Sequence, residues 1–273
     1  MVIFAGKKIQ KLLLLLLAFS VSMMVLMRSE VATSKELPQT SNPKPAIVLV
    51  HGTFADATSW QHIIPLLERD GYTVTAVQNT LTSLPEDVAT TKRVIDAQKG
   101  AVVVVGHSYG GSVITSAAAG NPQVKGLAYI AGFAPEVGEN ISGLNSRYAA
   151  PPLSTAIVPD TAGFLFIDRT KLHEFFAQDV SLAEARVMAA TQKPVASIAF
   201  DQTLDRAAWK TIPSWYLVTQ EDRAINPELE RFMAKRIGAK TSEIKSSHVP
   251  FVSHPQEVTK FIEMAATAAM KPS

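Results

Sequence analysis

The chain has 273 residues, 47% hydrophobic and 18% charged, with a net charge of +2. That is enough for one well-buried domain and too little for two large ones. It contains no cysteine, which excludes disulfides, thiolate metal sites, iron–sulfur clusters, a cysteine nucleophile and a lipid anchor on an N-terminal cysteine. The small charge surplus forms no basic stripe, which argues against nucleic acid as a partner.

The first 28 residues read as an export segment. Lys7, Lys8 and Lys11 form a positive start, and Leu12 to Met27 is an apolar run without charge. This pattern predicts a secretory signal or a membrane anchor, with the lysines left in the cytoplasm and the rest periplasmic or secreted. Small-residue cleavage patterns at Ala18-Phe19-Ser20 and Ser20-Val21-Ser22 favour a cleaved signal. The apolar residues after them leave an uncleaved anchor, and so membrane attachment, as the alternative. Residues 29–44 form a polar Ser/Thr/Pro tether, and a single domain is expected over 45–273.

From Pro45 the pattern alternates between strand and helix. Ala46 to Val50 reads as a buried strand ended by His51-Gly52. Trp60 to Asp70 carries apolar residues at helical spacing and stops at Gly71. A strand over Tyr72–Val77 and a helix over Pro85–Gln98 follow. Ala101 to Val105 is an uninterrupted apolar run, the third strand. It feeds Gly106-His107-Ser108-Tyr109-Gly110, and small residues after that suit a closely packed helix. The pattern predicts a sharp turn with Ser108 at its apex, its oxygen lifted clear of the sheet. The Tyr109 backbone N–H, at the helix N-terminus, faces any negative charge that forms there. Further strands are expected at Leu127–Ala131, Ser214–Thr219 and Thr241–Lys245, with helices over Pro227–Ile237 and Gln256–Met270. Strands alternating with helices predict a mostly parallel six-stranded sheet covered on both faces.

One stretch, residues 134–210, breaks the alternation. It shows no convincing core strand and reads as a loop followed by short helices over Thr170–Asp179, Ser181–Gln192 and near Asp205. Phe164, Leu165, Phe166, Phe175 and Phe176 make it apolar. Inserted after strand C-termini, it is expected to cap the site and form an apolar pocket; the alternative is a lateral extension of the core.

A serine hydroxyl needs a base, and the base needs an orienting carboxylate. Two loops remain after the cap, Gln220 to Pro227 and Ser246 to Pro250. They supply Asp222 and His248 in the chain order that such a turn requires. Glu221 is the alternative acid; Asp222 is preferred for its setting with Ile225 and Pro227. Of the other histidines, His62 reads as surface, His173 as cap, His254 as the entry to the last helix and His107 as packing. His51 reads as a brace for the loop it opens. His51-Gly52-Thr53-Phe54 would supply the second half of an oxyanion hole, through the backbone N–H of Thr53 or, failing that, Phe54, alongside Tyr109. No spacing fits a metal site: after His173-Glu174, Ala177 stands where a zinc motif needs its second histidine.

These residues, from about Pro45 to Ala269, resemble the α/β-hydrolase superfamily. Within it they are similar to the small-cap group of plant methyl-ester esterases and hydroxynitrile lyases. The likeness rests on His51-Gly52 through Trp60, Gly106 to Gly110, the Asp222 to Pro227 loop, and His248 with Ser253-His254-Pro255. It implies an α/β-hydrolase fold with a small helical cap, no cofactor, a small-molecule ester substrate, and a monomer or homodimer. The lyases of this group carry Thr where this chain has Gly52 and Lys where it has Val249, so the chain looks like the esterase branch. C–C cleavage or perhydrolysis on the same residues, and small-molecule binding without turnover, stand as alternatives.

Overall fold

The computed structural model describes residues 43–271. The export segment expected over 1–28, and the tether up to residue 42, lie outside the described residues. Among the described residues no helix is long and apolar enough to cross a membrane.

Strand β1 (Ala46–Val50) is buried along its whole length. A 3-10 turn, Ala57–Trp60, follows the His51–Phe54 loop, and Asp56 caps it by accepting the Thr58 N–H at 2.7 Å. Helix α1 (Ile64–Arg69) starts only after this turn, because Pro65 fits the first turn of a helix and not its interior. The single helix expected over Trp60–Asp70 is therefore two shorter elements. β2 (Val74–Val77) and α2 (Leu84–Asp96) come next, α2 capped by Ser83. β3 (Val102–His107) runs directly into the Ser108 turn and α3 (Tyr109–Ala117). Four successive buried valines hold β3 in the sheet, each worth about 1.5–3 kcal/mol on burial. β4 (Val124–Ile130) then leads into the insertion.

The insertion differs from the expected run of helices. It holds α4 (Ile141–Asn145) and then two strands, β5 (Ile157–Pro159) and β6 (Phe164–Ile167). Two helices follow, α5 (Leu172–Phe176) and α6 (Leu182–Thr191), and then the short β7 (Val195–Ala196). The three strands form a separate antiparallel sheet in the order β5-β6-β7. Segments of two to four residues are too short for a period of two to register. The β6–β7 pairing joins Leu165 to Val195, so no local pattern announces it. The turn between β5 and β6 is held by Asp160, whose Oδ1 accepts the Ala162 and Phe164 N–H groups at 2.8 Å each. Near Asp205 there is only a 3-10 turn, Ala208–Lys210.

The chain returns to the main sheet with β8 (Ser214–Thr219), α7 (Pro227–Arg236) and β9 (Lys240–Ile244), and closes with α8 (Pro250–Ser253) and α9 (Pro255–Ala269). The main sheet has the order β2-β1-β3-β4-β8-β9, and every pairing is parallel. From β1 the chain steps outward to β2, then returns to β3 on the other side of β1. The order thus reverses between β1 and β3, and in open parallel sheets the crevice at such a reversal is where ligands bind. The loops at the C-terminal ends of these two strands carry Gly52–Phe54 and Ser108.

Candidate active site

The turn after β3 is a forced conformation. Ser108 has φ 53° and ψ −124°, a region that costs a non-glycine residue about 1–3 kcal/mol. Two glycines allow the close packing that holds it. A Cβ on Gly106 would lie 2.6 Å from the Gly110 carbonyl oxygen, and one on Gly110 would collide with the Val50 carbonyl. The Ser108 carbonyl accepts N–H groups from Gly111 at 2.9 Å and Phe133 at 3.0 Å. The Tyr109 side chain points into the core, where its hydroxyl donates to Asp87 at 2.8 Å. Its backbone N–H has no acceptor among the described residues, and neither do those of Thr53 and Phe54. Thr53, Phe54 and Ser108 all line one cavity. His51 braces this loop as expected: its Nε2 accepts the Asn79 N–H at 3.0 Å, which leaves Nδ1–H to donate to the Gly52 carbonyl at 2.8 Å. Burial holds the His51 imidazole below its ordinary value, so the brace is neutral.

Asp222, on the loop after β8, meets His248, on the loop after β9. His248 Nδ1 lies 2.5 Å from Asp222 Oδ2. Asp222 Oδ1 accepts the Ala224 and Ile225 N–H groups at 2.6 and 2.8 Å. Burial pushes this carboxyl up, but its interaction with the His248 ring and these hydrogen bonds outweigh it and leave it below the usual carboxylate range. Glu221 points elsewhere, 3.5 Å from Lys245. Of the two carboxylates, Asp222 contacts the His248 ring and Glu221 does not. With Nδ1–H donated to Asp222, His248 Nε2 is left as the basic nitrogen, and His248 shares the cavity with Ser108.

Several supporting residues had no separate signal in the sequence. His107 donates Nε2–H to the His248 carbonyl at 2.9 Å, and the two rings lie 4.7 Å apart. Burial holds His107 well below its ordinary value, so it braces the site without charge. Thr219 and Glu230 lie behind Asp222. Glu230 could have been noticed as a charge on the apolar stripe of α7, beside Leu229 and Met233. Asp179 of the cap accepts the Ser247 N–H at 2.9 Å and the Ser246 and Ser253 hydroxyls at 2.8 and 2.9 Å. It thereby ties the cap to the loop that carries His248. His62, expected at the surface, is a second tie, 2.7 Å from Glu184 of the cap.

The cavity has a volume of about 380 Å³. The cap forms its roof through Tyr148, Leu153, Ile157, Leu165, Phe176 and Phe200, and Phe133 and Ile225 line its sides. Residues of the insertion thus line the same cavity as Ser108 and His248. No Lys, Arg, Asp or Glu lines the cavity.

A sequence profile of the alpha/beta hydrolase family matches residues 47–261. Among similar proteins, the alpha/beta hydrolase nvfD of Aspergillus novofumigatus is 28% identical over 252 residues, which cover 84% of this chain and 99% of that one. Methylesterase 17 of Arabidopsis thaliana is 26% identical over 254 residues, 81% of this chain and 90% of the relative. The crystal structure of a pyrethroid hydrolase from Sphingobium faniae JZ-2 matches with a TM-score of 0.72 at 22% identity, over 82% of this chain and 98% of that chain. At that identity the likeness is one of fold. The profile runs from the first strand of the sheet to the last helix, and the sheet order and the serine turn agree with it: the chain belongs to the α/β-hydrolase family.

Proposed function

We propose that the protein is a serine carboxylester hydrolase acting on small to medium uncharged esters through an acyl-enzyme. One observation carries this reading: Ser108 and the Asp222-held His248 open together onto an apolar cavity free of charged side chains. Ser108 Oγ attacks the ester carbonyl. His248 Nε2 takes the serine proton and returns it to the departing alkoxide. Asp222 keeps Nδ1 protonated and offsets the positive charge on the ring. The backbone N–H groups of Tyr109 and Thr53 receive the oxyanion, with Phe54 as the alternative second donor. Water, deprotonated by His248, then releases the acid.

The relatives support an ester substrate, since they include a methylesterase. Lyase chemistry is disfavoured by Val249, which is apolar and buried beside His248 and offers no cation to balance a departing cyanide. In this reading the export segment expected over 1–28 would carry the enzyme out of the cytoplasm, to be periplasmic, secreted or anchored to the membrane by that segment. A panel of p-nitrophenyl esters of increasing chain length, run on wild type and Ser108→Ala, tests the function. Turnover that disappears with the serine supports it. Turnover of no ester, or turnover unchanged in the variant, refutes it.

A further inference from the structure

Glu230 sits on the buried face of α7, wholly shielded from solvent. Among the described residues it has no cationic partner. Both of its hydrogen bonds go to Thr219: Oε2 accepts the backbone N–H at 3.1 Å, and Oε1 lies 3.0 Å from Oγ1. The same Thr219 Oγ1 lies 3.0 Å from Asp222 Oδ2. Two carboxyl groups therefore flank one hydroxyl, which has one proton to give. If both were ionised, they would compete for that proton at close range in a buried site.

The donors decide which of the two carries the charge. Asp222 receives the N–H groups of Ala224, Ile225 and the His248 ring. Glu230 receives only the Thr219 N–H as a committed donor. A charge is held best where it is most fully hydrogen-bonded. We propose that Glu230 is a neutral carboxylic acid whose proton goes to Thr219 Oγ1, so that the threonine proton goes to Asp222, making Glu230 a positioning residue for the Asp222–His248 pair.

The surroundings agree with this assignment. Burial first, and then the charge of Asp222, push the Glu230 carboxyl well above its ordinary value. The titratable groups that face it are Asp222, on the loop after β8, and Tyr216, on β8 itself. Burial pushes the Tyr216 phenol up, so it is neutral, and its hydroxyl donates to the Gly132 carbonyl at 2.6 Å. On the outer side of α7, Arg231 pairs with Glu228 and with Glu243 of β9.

The catalytic consequence rests on the esterase reading; the protonation state does not. Glu230→Gln keeps an acceptor for the Thr219 N–H and a donor for its hydroxyl, without a charge. Glu230→Leu keeps the bulk and removes both. The full chain is measured three ways: NMR titration of the His248 ring, urea unfolding across pH, and ester turnover. In Glu230→Gln the His248 midpoint should equal that of wild type, and kcat should stay within about twofold. Because the unfolded chain ionises Glu230 near its ordinary value and the folded chain does so only at higher pH, wild type should lose stability relative to Glu230→Gln as pH rises above about 4.5. Glu230→Leu should lower kcat about tenfold or more with KM little changed.

A His248 midpoint that falls by about a unit in Glu230→Gln would mean that the carboxyl is charged in wild type. So would a stability difference that does not vary with pH. Either result overturns the proposal, as would full kcat in a folded Glu230→Leu. If no variant, wild type included, turns over esters, the esterase reading fails, and the two substrate-free measurements still decide Glu230.

Discussion

Replacing Asp179 with Ala should loosen the loop that carries His248 from a distance. Asp179 belongs to the cap, yet its Oδ2 accepts the N–H of Ser247, the residue before His248, and two serine hydroxyls of the same segment. His254 Nε2 lies 3.7 Å from the same oxygen. A hydrogen bond to a charged acceptor is worth about 1.5–3 kcal/mol. The Asp179 side chain is 21% exposed, so water recovers part of what the three donors lose. A net cost of about 2 kcal/mol follows, and for a domain of this size that lowers Tm by about 4–8 °C. Freeing Ser247 should also let His248 drift from Ser108, and kcat should fall about tenfold.

The pH dependence has a definite sign. Burial pushes the Asp179 carboxyl up, but hydrogen bonds from Ser247, Ser246 and Ser253 outweigh it and hold the carboxyl below its usual range. A lowered folded value stabilises the protein above the unfolded value, and that stability is lost as pH falls through the folded one. Wild type should therefore exceed Asp179→Asn in stability at pH 7, and the gap should close below about pH 4. Thermal melts between pH 3 and 8, together with ester kinetics, measure this. A variant within about 0.5 kcal/mol and twofold in kcat at pH 7 would refute the clamp.

Asp222→Asn should cost at least about a thousandfold in kcat, while Glu221→Gln should change it less than about threefold; steady-state kinetics ranks the two. Gly110→Ala should destabilise the fold by about 3 kcal/mol or more, since its Cβ would meet the Val50 carbonyl in a core that cannot yield, and urea unfolding reads this directly. A chain from Asn42 to Ser273 should melt and turn over esters as the full chain does, because the six-stranded sheet begins at Ala46; an unfolded truncated chain would contradict this.

The parts of this molecule legible in its sequence are those that local chemistry decides. The β3 valines, the paired glycines around Ser108 and the small residues of α3 are contiguous, so one window of sequence shows strand, turn and helix. Asp222 and His248 stand out in the sequence because each lies on a loop after a late strand, in a constrained order along the chain, and the structure brings the two into contact. What escaped depends on partners far apart in sequence. The cap sheet joins Leu165 to Val195, and Asp179 reaches Ser247 across the site. Glu230 stands beside Leu229 and Met233 on the buried face of its helix. Its role shows only once α7 is laid against Thr219.

In the proposed reaction Ser108 is the nucleophile that forms the acyl-enzyme. Incubation with a fluorophosphonate, followed by peptide mass spectrometry, tests it most directly. One phosphonyl group should appear on Ser108, with ester turnover lost in proportion to labelling and neither labelling nor turnover in Ser108→Ala. Labelling at another residue with loss of turnover, or full turnover after Ser108 is labelled, would contradict it.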